Sequence, residues 1–177
     1  FYASSSSVYG DSKIFPLKET SKLYPKNIYA ISKYSNEKIA TIYNKKFNMN
    51  LIGLRFFTVY GEWGRPDMLL FKLFKSFKQN KIFYLNNKGN HFRDFTYIKD
   101  VINILYRLIY LKNIKYKIYN ICSSNPINIK LIIDNFCEQY KYKRIKYIKK
   151  NKLEVYKTYG SNKLIKQLTK YKKFTSF

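Results

Sequence analysis

The segment Tyr29-Ala-Ile-Ser-Lys33 stands downstream of a cluster of four serines, Ser4 to Ser7. A tyrosine and a lysine four residues apart lie on the same face of a helix. A lysine ammonium close to a phenol favours the phenolate form, and a serine hydroxyl within reach can pass a proton on. The pattern therefore predicts a general base that takes a proton from a sugar hydroxyl while a hydride leaves the same carbon.

Strand and helix patterns alternate on both sides of this segment. The chain opens with a short apolar strand that ends in the serines. Asn27 is placed to cap a helix that continues to about Phe47, and Asp67 is placed to cap a second helix that ends near Asn80. The other predicted elements are strands at 51–57, 82–86, 117–122 and 145–148, helices at 98–111, 128–140 and 163–169, a loop at 58–66 and a frayed tail from Lys170. This alternation predicts an α/β fold with a mainly parallel sheet.

The length and the cysteine content favour a single cytoplasmic unit. A chain of 177 residues can form one ordinary domain with a sizeable core. No stretch resembles a signal peptide, and no apolar run is long enough to cross a membrane. Cys122 and Cys137 are too few and too isolated for a disulfide framework or a metal site. We interpret both as reduced thiols of a cytoplasmic protein and expect no metal.

The formal net charge of +25 would ordinarily suggest a nucleic acid or an anionic membrane as partner. Lysine dominates the 35 basic residues, however, and Asn, Ile, Tyr and Phe are also abundant, so that an AT-rich genome explains the bias. The basic residues are also spread along the chain rather than gathered in one helix or arm. We therefore expect a solvated basic surface, with no nucleic-acid and no membrane partner, that helps to attract a diphosphate substrate.

Four ordered motifs carry a resemblance to a known family. They are Tyr2-Ala-Ser-Ser-Ser-Ser-Val-Tyr-Gly10, Tyr29-Ala-Ile-Ser-Lys33, Leu54-Arg-Phe-Phe-Thr-Val-Tyr-Gly61 and Arg93-Asp-Phe-Thr-Tyr-Ile98. Together they resemble the extended short-chain dehydrogenase/reductase family of NAD-dependent nucleotide-sugar epimerases and dehydratases. The longer stretch from Leu54 to Met68 most resembles UDP-glucuronate 4-epimerases, which make UDP-galacturonate for surface polysaccharides. The resemblance extends from Phe1 to about residue 165.

The resemblance also implies a fold and a division of the chain. Members of this family begin with a strand, a Gly-rich turn and a helix that bind the NAD pyrophosphate, whereas this sequence contains no G-x-x-G-x-x-G or G-x-G-x-x-G pattern. We therefore expect the C-terminal portion of a longer protein. Residues 1–61 and 95–122 would form part of a Rossmann-like parallel sheet, and residues 62–94 and 123–177 a small α/β lobe that binds the nucleotide sugar.

The resemblance implies a mechanism for three residues. Tyr29, as phenolate, would take the proton from the hydroxyl on sugar carbon 4 while NAD accepts the hydride from that carbon. Ser5 would hydrogen-bond the same hydroxyl and steady the growing carbonyl. Lys33 would favour the phenolate and hold the nicotinamide ribose. The 4-keto sugar would then turn in the site and receive the hydride on its other face.

The resemblance also assigns binding residues by position. Phe56 lies at a strand end beside the nicotinamide, and Ser6 and Ser7 would face the sugar. Thr58 matches a polar substrate contact. An arginine fork suits a diphosphate, so Arg93 is given the diphosphate and Arg65 a similar role or the sugar carboxylate. Asn87 would help to hold the uridine nucleotide and Glu154 would lie near the ribose, whereas we interpret His91 as a loop residue rather than a ligand.

Several alternatives remain open. The chain could belong to an epimerase, decarboxylase or dehydratase that acts on another nucleotide sugar, although Ser6 and Ser7 argue against a dehydratase, which usually carries acidic residues there. It could also be an inactive remnant or a basic binding module. Relatives usually dimerise through a bundle that includes the Tyr-x-x-x-Lys helix, so a homodimer is implied by analogy.

Overall fold

The computed structural model describes residues 1–112, 114, 117–149 and 154–177. Its strands are β1 (Tyr2–Ser5), β2 (Ile52–Phe56), β3 (Thr58–Tyr60), β4 (Phe83–Asn86), β5 (Phe92–Tyr97), β6 (Lys117–Ile121), β7 (Pro126–Asn128) and β8 (Ile145–Ile148). Its α-helices are α1 (Ile28–Phe47), α2 (Leu69–Lys78), α3 (Ile98–Tyr110), α4 (Ile129–Tyr140) and α5 (Lys163–Thr169). Within these described residues, no helix combines the length and hydrophobicity that a membrane span requires.

The strands form three small sheets. The first has the order β1-β2-β6 and is parallel throughout. In the second, β5 pairs with β3 in parallel and with β7 in antiparallel orientation, and in the third β4 and β8 are parallel. The predicted α/β fold with a mainly parallel sheet is confirmed. The sequence patterns missed β3, β5 and β7, and the predicted loop at 58–66 begins with β3.

One hydrophobic core lies against the first sheet, and another lies among α2, β4, β5 and α4. Ile52 and Leu54 of β2 pack with Ile104 of α3 and with Ile165 of α5. Elsewhere, Leu73 of α2 packs with side chains of β4, β5 and α4. The division of the chain into a cofactor part and a substrate lobe remains a prediction, and some residues of its ranges (113, 115, 116 and 150–153) lie outside the described residues. Helix α5 belongs to the predicted substrate lobe by its residue numbers. It packs beside α3 and β6, which belong to the predicted cofactor part.

Helix α1 turns its small residues toward the protein and its large apolar residues outward. The Asn27 side chain caps it as predicted, because its carbonyl oxygen accepts a hydrogen bond from the Ala30 backbone N–H (2.8 Å). Ala30, Glu37 and Ala40 are buried. The exposed large side chains of this helix are Ile28, Tyr29, Ile31, Ile39, Ile42, Tyr43 and Phe47. The helix therefore approaches β1 closely and leaves an apolar face without cover from the described residues.

The predicted cap of the second helix is wrong. Helix α2 begins at Leu69 after Met68, whose side chain makes no capping hydrogen bond. Asp67 instead forms an ion pair with Arg65, with the Nη2 and Oδ2 atoms 2.5 Å apart. The Asp67 carboxylate thus pairs with Arg65, two residues before it, instead of capping the helix.

The prediction of a frayed tail from Lys170 is also wrong. The segment has no helix or strand, yet it is held by Asp100 in the first turn of α3. The Asp100 carboxylate accepts hydrogen bonds from the Tyr171 hydroxyl (2.6 Å) and the Thr175 backbone N–H (2.7 Å). The Phe177 ring also lies 4.8 Å from that of Phe95, measured between centroids. Polar and aromatic contacts to residues distant in sequence therefore fix this tail.

Asp94 of β5 ties three segments together. It is fully buried and accepts hydrogen bonds from the backbone N–H and the hydroxyl of Ser123 (3.0 and 2.7 Å) and from the Gly160 backbone N–H (3.1 Å). Burial raises the pKa of Asp94 from its ordinary 3.8 to about 6, although these hydrogen bonds partly oppose the shift. The contacts join β5 to the loop after β6 and to the segment 154–160.

We expect Asp94→Asn to remove a fall in stability between pH 4 and pH 6. In this window the folded protein keeps a proton that the unfolded chain releases, so this group stabilises the fold below pH 4 and the contribution disappears as the pH rises to 6. A shift of about two units corresponds to about 3 kcal/mol. Denaturant unfolding at several pH values measures the slope. Asp134→Asn, at an exposed carboxylate, should keep the wild-type slope, and an unchanged slope in Asp94→Asn would contradict the prediction.

Candidate active site

A cleft opens where the first sheet ends. It has a volume of about 560 Å³ and lies at the carboxyl ends of β1 and β2. In open α/β sheets this edge is where ligands bind. Its lining includes Ser5 and Ser6 from β1 and the following turn, Tyr29 and Lys33 from α1, and Phe56 from β2. The fold thus brings the predicted hydroxyl, phenol and ammonium groups to one cleft.

Local hydrogen bonds hold the polar groups of this cleft in place. Ser5 caps the short 3₁₀ helix Ser6–Tyr9, because its hydroxyl oxygen accepts hydrogen bonds from the Ser7 backbone N–H (3.2 Å) and the Ser7 hydroxyl (3.0 Å). The Lys33 ammonium donates to the Ala3 carbonyl oxygen (3.2 Å) and lies 5.8 Å from the centroid of the Tyr29 ring. Tyr29 itself is half exposed. The phenol can therefore meet a ligand, while the serine and the lysine are fixed by the end of β1.

Behind the cleft, a buried ion pair joins α1 to β2. The Arg55 guanidinium donates from Nε and Nη2 to the two carboxylate oxygens of Glu37, each at 2.8 Å. The Ser4 hydroxyl donates to the same carboxylate (2.6 Å). Burial alone would lower the pKa of Arg55, but the hydrogen bonds and charge of Glu37 raise it above its usual range. Because Ser4 precedes Ser5 and Glu37 follows Lys33 by one helical turn, the pair fixes the segments that carry Ser5 and Lys33 relative to each other.

The buried network continues to residues far along the chain. Arg55 Nη1 donates to the Tyr9 hydroxyl (2.8 Å), which donates to Asn120 Oδ1 in β6 (2.7 Å). Burial raises the pKa of Tyr9 to about 12, so that the phenol keeps its proton. Glu19 accepts a hydrogen bond from the Asn120 backbone N–H (2.9 Å). The network therefore connects β2, β6 and the loop after β1 beneath the cleft.

A second cleft of about 400 Å³ adjoins the first. Its lining is mostly apolar, with Tyr60 and Phe95 among the aromatic residues, and its polar end contains His91, Arg93 and Glu154. The two clefts share their lining at the following residues: Thr58, Val59, Gly64, Arg65 and Met68. They therefore form one continuous groove, which we call the active groove, with Tyr29 near one end and Arg93 at the other.

The far end of the active groove contains a compact charge cluster. Arg93 Nη2 donates to Glu154 Oε1 (2.9 Å), and Arg93 Nη1 donates to the Phe92 carbonyl oxygen (2.8 Å). His91 Nε2 lies 3.4 Å from the same Glu154 oxygen. Burial lowers the pKa of Arg93. Burial and the charge of Arg93 lower the pKa of His91. Glu154 opposes both shifts. An arginine fork held in this way can donate hydrogen bonds to a diphosphate at fixed geometry.

The motifs and this geometry agree with the comparisons to known proteins. The model of the NAD dependent epimerase/dehydratase family matches residues 1–122. The chain belongs to this family. An uncharacterised protein of Methanocaldococcus jannaschii is 40% identical over 174 residues, which are 97% of this chain and 53% of that relative. UDP-glucuronate 4-epimerase 4 of Arabidopsis thaliana is 48% identical over 105 residues, which are 57% of this chain and 24% of that enzyme.

A family member of known structure has the same fold. The crystal structure of UDP-glucuronic acid 4-epimerase from Bacillus cereus, in complex with UDP-glucuronic acid and NAD, superposes with a TM-score of 0.92 at 30% identity. The match covers 98% of this chain and 56% of that one. The chain thus spans about half the length of the epimerase and of the curated relative from M. jannaschii.

The active groove brings together most, but not all, of the family positions predicted from the sequence. Arg65 lies at the junction of the two clefts, where it is exposed and paired with Asp67. Ser7 hydrogen-bonds to Ser5. Asn87 lies in the turn Asn87–Gly89, where its side chain donates to the Asn90 carbonyl oxygen (2.8 Å), beside Glu154 rather than in the main groove. The roles of these residues in binding remain predictions.

Sequence reasoning missed two features of the site. The first is His91, which is indeed a loop residue but is buried in the lining of the active groove. Its position two residues before Arg93 is the signal in the sequence, because residues two apart in an extended segment lie on the same side. The second is the pair of Glu37 and Arg55. An arginine inside the apolar run 52–57 and a glutamate four residues after Lys33 were visible signals, since charged residues are rarely buried without a partner.

Proposed function

We propose that the chain carries the catalytic groups and the nucleotide-sugar groove of an NAD-dependent epimerase that interconverts UDP-glucuronate and UDP-galacturonate through a 4-keto intermediate. The observation that carries the proposal is the active groove itself, which joins Ser5, Tyr29 and Lys33 to Arg93 over a continuous surface. The relatives named above as UDP-glucuronate 4-epimerases support the choice of sugar.

The first cleft suits the nicotinamide ribose end of NAD. Its donors are an ammonium and a phenol, which can hydrogen-bond to ribose hydroxyls, and Phe56 provides an apolar surface beside them. The sequence has no Gly-rich turn for the pyrophosphate, so these residues fit only part of the cofactor. When bound, NAD would supply the chemistry of removing and returning a hydride at sugar carbon 4.

The residues of the chain would move and hold the proton. Tyr29, as phenolate, would take the proton from the hydroxyl on carbon 4 and return it at the end of the reaction. Ser5 would hydrogen-bond the same oxygen and stabilise the charge that develops on it. Lys33 would hold a positive charge beside the Tyr29 ring and hydrogen-bond to the nicotinamide ribose. A 4-keto sugar must then turn to present its other face, and the cleft of about 560 Å³ that Tyr29 and Arg65 help to line would have to give it room.

The remaining polar groups would position the nucleotide and the sugar. Arg93 would bind the diphosphate and Glu154 the ribose. Arg65 and Thr58, at the junction of the two clefts, would meet the sugar carboxylate or a nearby phosphate. Ser6 would face the sugar near Tyr29. The anion would compete with Asp67 for Arg65, since both interactions use the same guanidinium.

We expect Arg93→Lys to weaken UDP binding about tenfold or more. Lysine keeps the positive charge but cannot offer two parallel N–H donors, and charge-assisted hydrogen bonds contribute about 1.5–3 kcal/mol. Titration calorimetry with UDP measures the change. Arg107→Lys is the matched control, because Arg107 contacts the Thr169 carbonyl oxygen away from the groove. This variant should bind UDP as the wild type does. Equal affinity of Arg93→Lys and wild type would exclude Arg93 as the diphosphate fork.

The activity itself is tested by product analysis. The protein is incubated with UDP-glucuronate and NAD, both as this chain and joined to the N-terminal segment of the M. jannaschii relative. Formation of UDP-galacturonate supports the proposal. Release of carbon dioxide with a UDP-pentose would instead indicate a decarboxylase. UDP binding without any turnover in either form would indicate a remnant that has kept its groove.

Three wider features belong to the same proposal. We propose a cytoplasmic enzyme that serves surface polysaccharide synthesis, which rests on the resemblance to UDP-glucuronate 4-epimerases. We also propose a homodimer. The exposed apolar face of α1, which includes Ile31, Ile39 and Ile42, supports the dimer, because a large exposed apolar surface is typical of an interaction site. Analytical ultracentrifugation tests it.

A further inference from the structure

His91 is the single histidine of the sequence and is held at the nucleotide end of the active groove. Its backbone N–H donates to the Gly89 carbonyl oxygen (2.8 Å), and its own carbonyl oxygen accepts from the Ile129 backbone N–H (2.9 Å). The residue is 4% exposed. The imidazole therefore has a fixed place in the lining, between the turn 87–89 and the arginine proposed to bind the diphosphate.

The charges around His91 are nearly balanced without a ligand. Arg93 of β5 and Glu154 of the segment 154–160 lie against it with opposite charges. Asp11, which is paired with Lys26, acts on Arg93 from the loop after β1. On α4, which packs against the turn 87–89, Lys130 is paired with Asp134. Burial and Arg93 lower the pKa of His91, which favours the neutral imidazole, while Glu154 opposes the shift.

We propose that His91 takes up a proton when a nucleoside diphosphate sugar binds, so that binding in the active groove is coupled to the protonation of this imidazole. The inference rests on the proposed function. A diphosphate brings two negative charges to a cluster whose net charge is close to zero. A nearby anion favours the imidazolium form. The imidazolium would then be a second cationic donor to the diphosphate, beside Arg93. Affinity should then fall as the pH rises.

The experiment is a proton NMR titration of the 177-residue chain with and without UDP-glucuronate. The single histidine gives one imidazole signal, and the doubly esterified diphosphate of this probe does not titrate near neutral pH. We expect the titration midpoint of His91 to rise by one unit or more on binding, with about a tenfold loss of affinity from low to high pH. Uridine, which lacks phosphates, should leave the midpoint unchanged.

Two variants distinguish the possible results. His91→Gln keeps a hydrogen-bonding side chain, so it should still bind UDP-glucuronate, with an affinity that does not depend on pH between 5.5 and 8. Lys88→Gln removes an exposed positive charge nearby and should keep the wild-type coupling. Binding with an unchanged His91 midpoint, or equal pH dependence in His91→Gln, would overturn this proposal alone. Failure of UDP-glucuronate to bind at any pH would overturn the proposed function with it.

Discussion

Replacement of Glu37 by alanine should lower the free energy of unfolding by about 3–5 kcal/mol, because it leaves the Arg55 guanidinium buried without a counter-charge. Both side chains are nearly inaccessible to solvent, at 3% exposure for Arg55 and 4% for Glu37. The Ser4 hydroxyl would lose its acceptor as well. Since a domain of this size is stable by about 5–15 kcal/mol, the variant should lose a large fraction of its stability. Urea unfolding followed by circular dichroism measures the loss.

An exposed pair provides the control for this prediction. Lys130 and Asp134 are four residues apart on α4 and about half exposed, so Asp134→Ala should cost only about 0.3–0.5 kcal/mol. The double replacement Glu37→Met with Arg55→Met should recover part of the loss, because two apolar side chains of similar length do not leave a buried charge. A loss below about 1 kcal/mol in Glu37→Ala would mean that water reaches Arg55 and that the pair does not hold α1 against the sheet.

Local sequence patterns were sufficient for several helices and strands of the fold. The Asn27 cap and the helix to Phe47 are confirmed, as are the strand 145–148 and the helix 163–169. Their signals are local, since a capping side chain and a hydrophobic period depend only on nearby residues. Strands β3 and β7 have three residues each and carry no such period, and β5 lies inside a motif that was interpreted for its chemistry.

Contacts between distant parts of the chain could not be predicted in this way. The tail from Lys170 has the composition of a frayed end, and only the position of Asp100 after folding shows that it is held. The inward face of α1 is another example. Its apolar period alone does not say which face is buried, because close approach to the sheet requires Ala30 and Ala40 there and leaves the isoleucines exposed.

The candidate site was predictable where a motif carried it. Ser5, Tyr29 and Lys33 were chosen from spacing and resemblance, and the fold places all three in one cleft. Arg93 and Glu154 were chosen separately and are found as an ion pair. The interpretation of His91 as a loop residue rather than a ligand rests on its being the single histidine of the sequence. Its burial beside that pair depends on a contact with Glu154, which is more than sixty residues away in the sequence and which no local pattern contains.

Replacement of Tyr29 by phenylalanine should reduce turnover by about 10²–10⁴-fold in a preparation that converts UDP-glucuronate, because the variant lacks the group that we propose takes and returns the proton. The phenol is half exposed in the first cleft, so its loss should not disturb the core. UDP binding should be unchanged, since the diphosphate is assigned to Arg93 in the other cleft. Rates of UDP-galacturonate formation and calorimetric UDP affinity, measured on the same sample, separate the two effects.

The matched control for this variant is Tyr43→Phe. Tyr43 lies on the same helix and is exposed to a similar extent, at 46% against 50% for Tyr29. It should keep both turnover and UDP affinity, because its hydroxyl lies outside the lining of the active groove among the described residues. If Tyr29→Phe retained more than about a tenth of the wild-type rate, another group would have to act as the base. The Ser5 hydroxyl, fixed at the end of β1, would then be the residue to replace next.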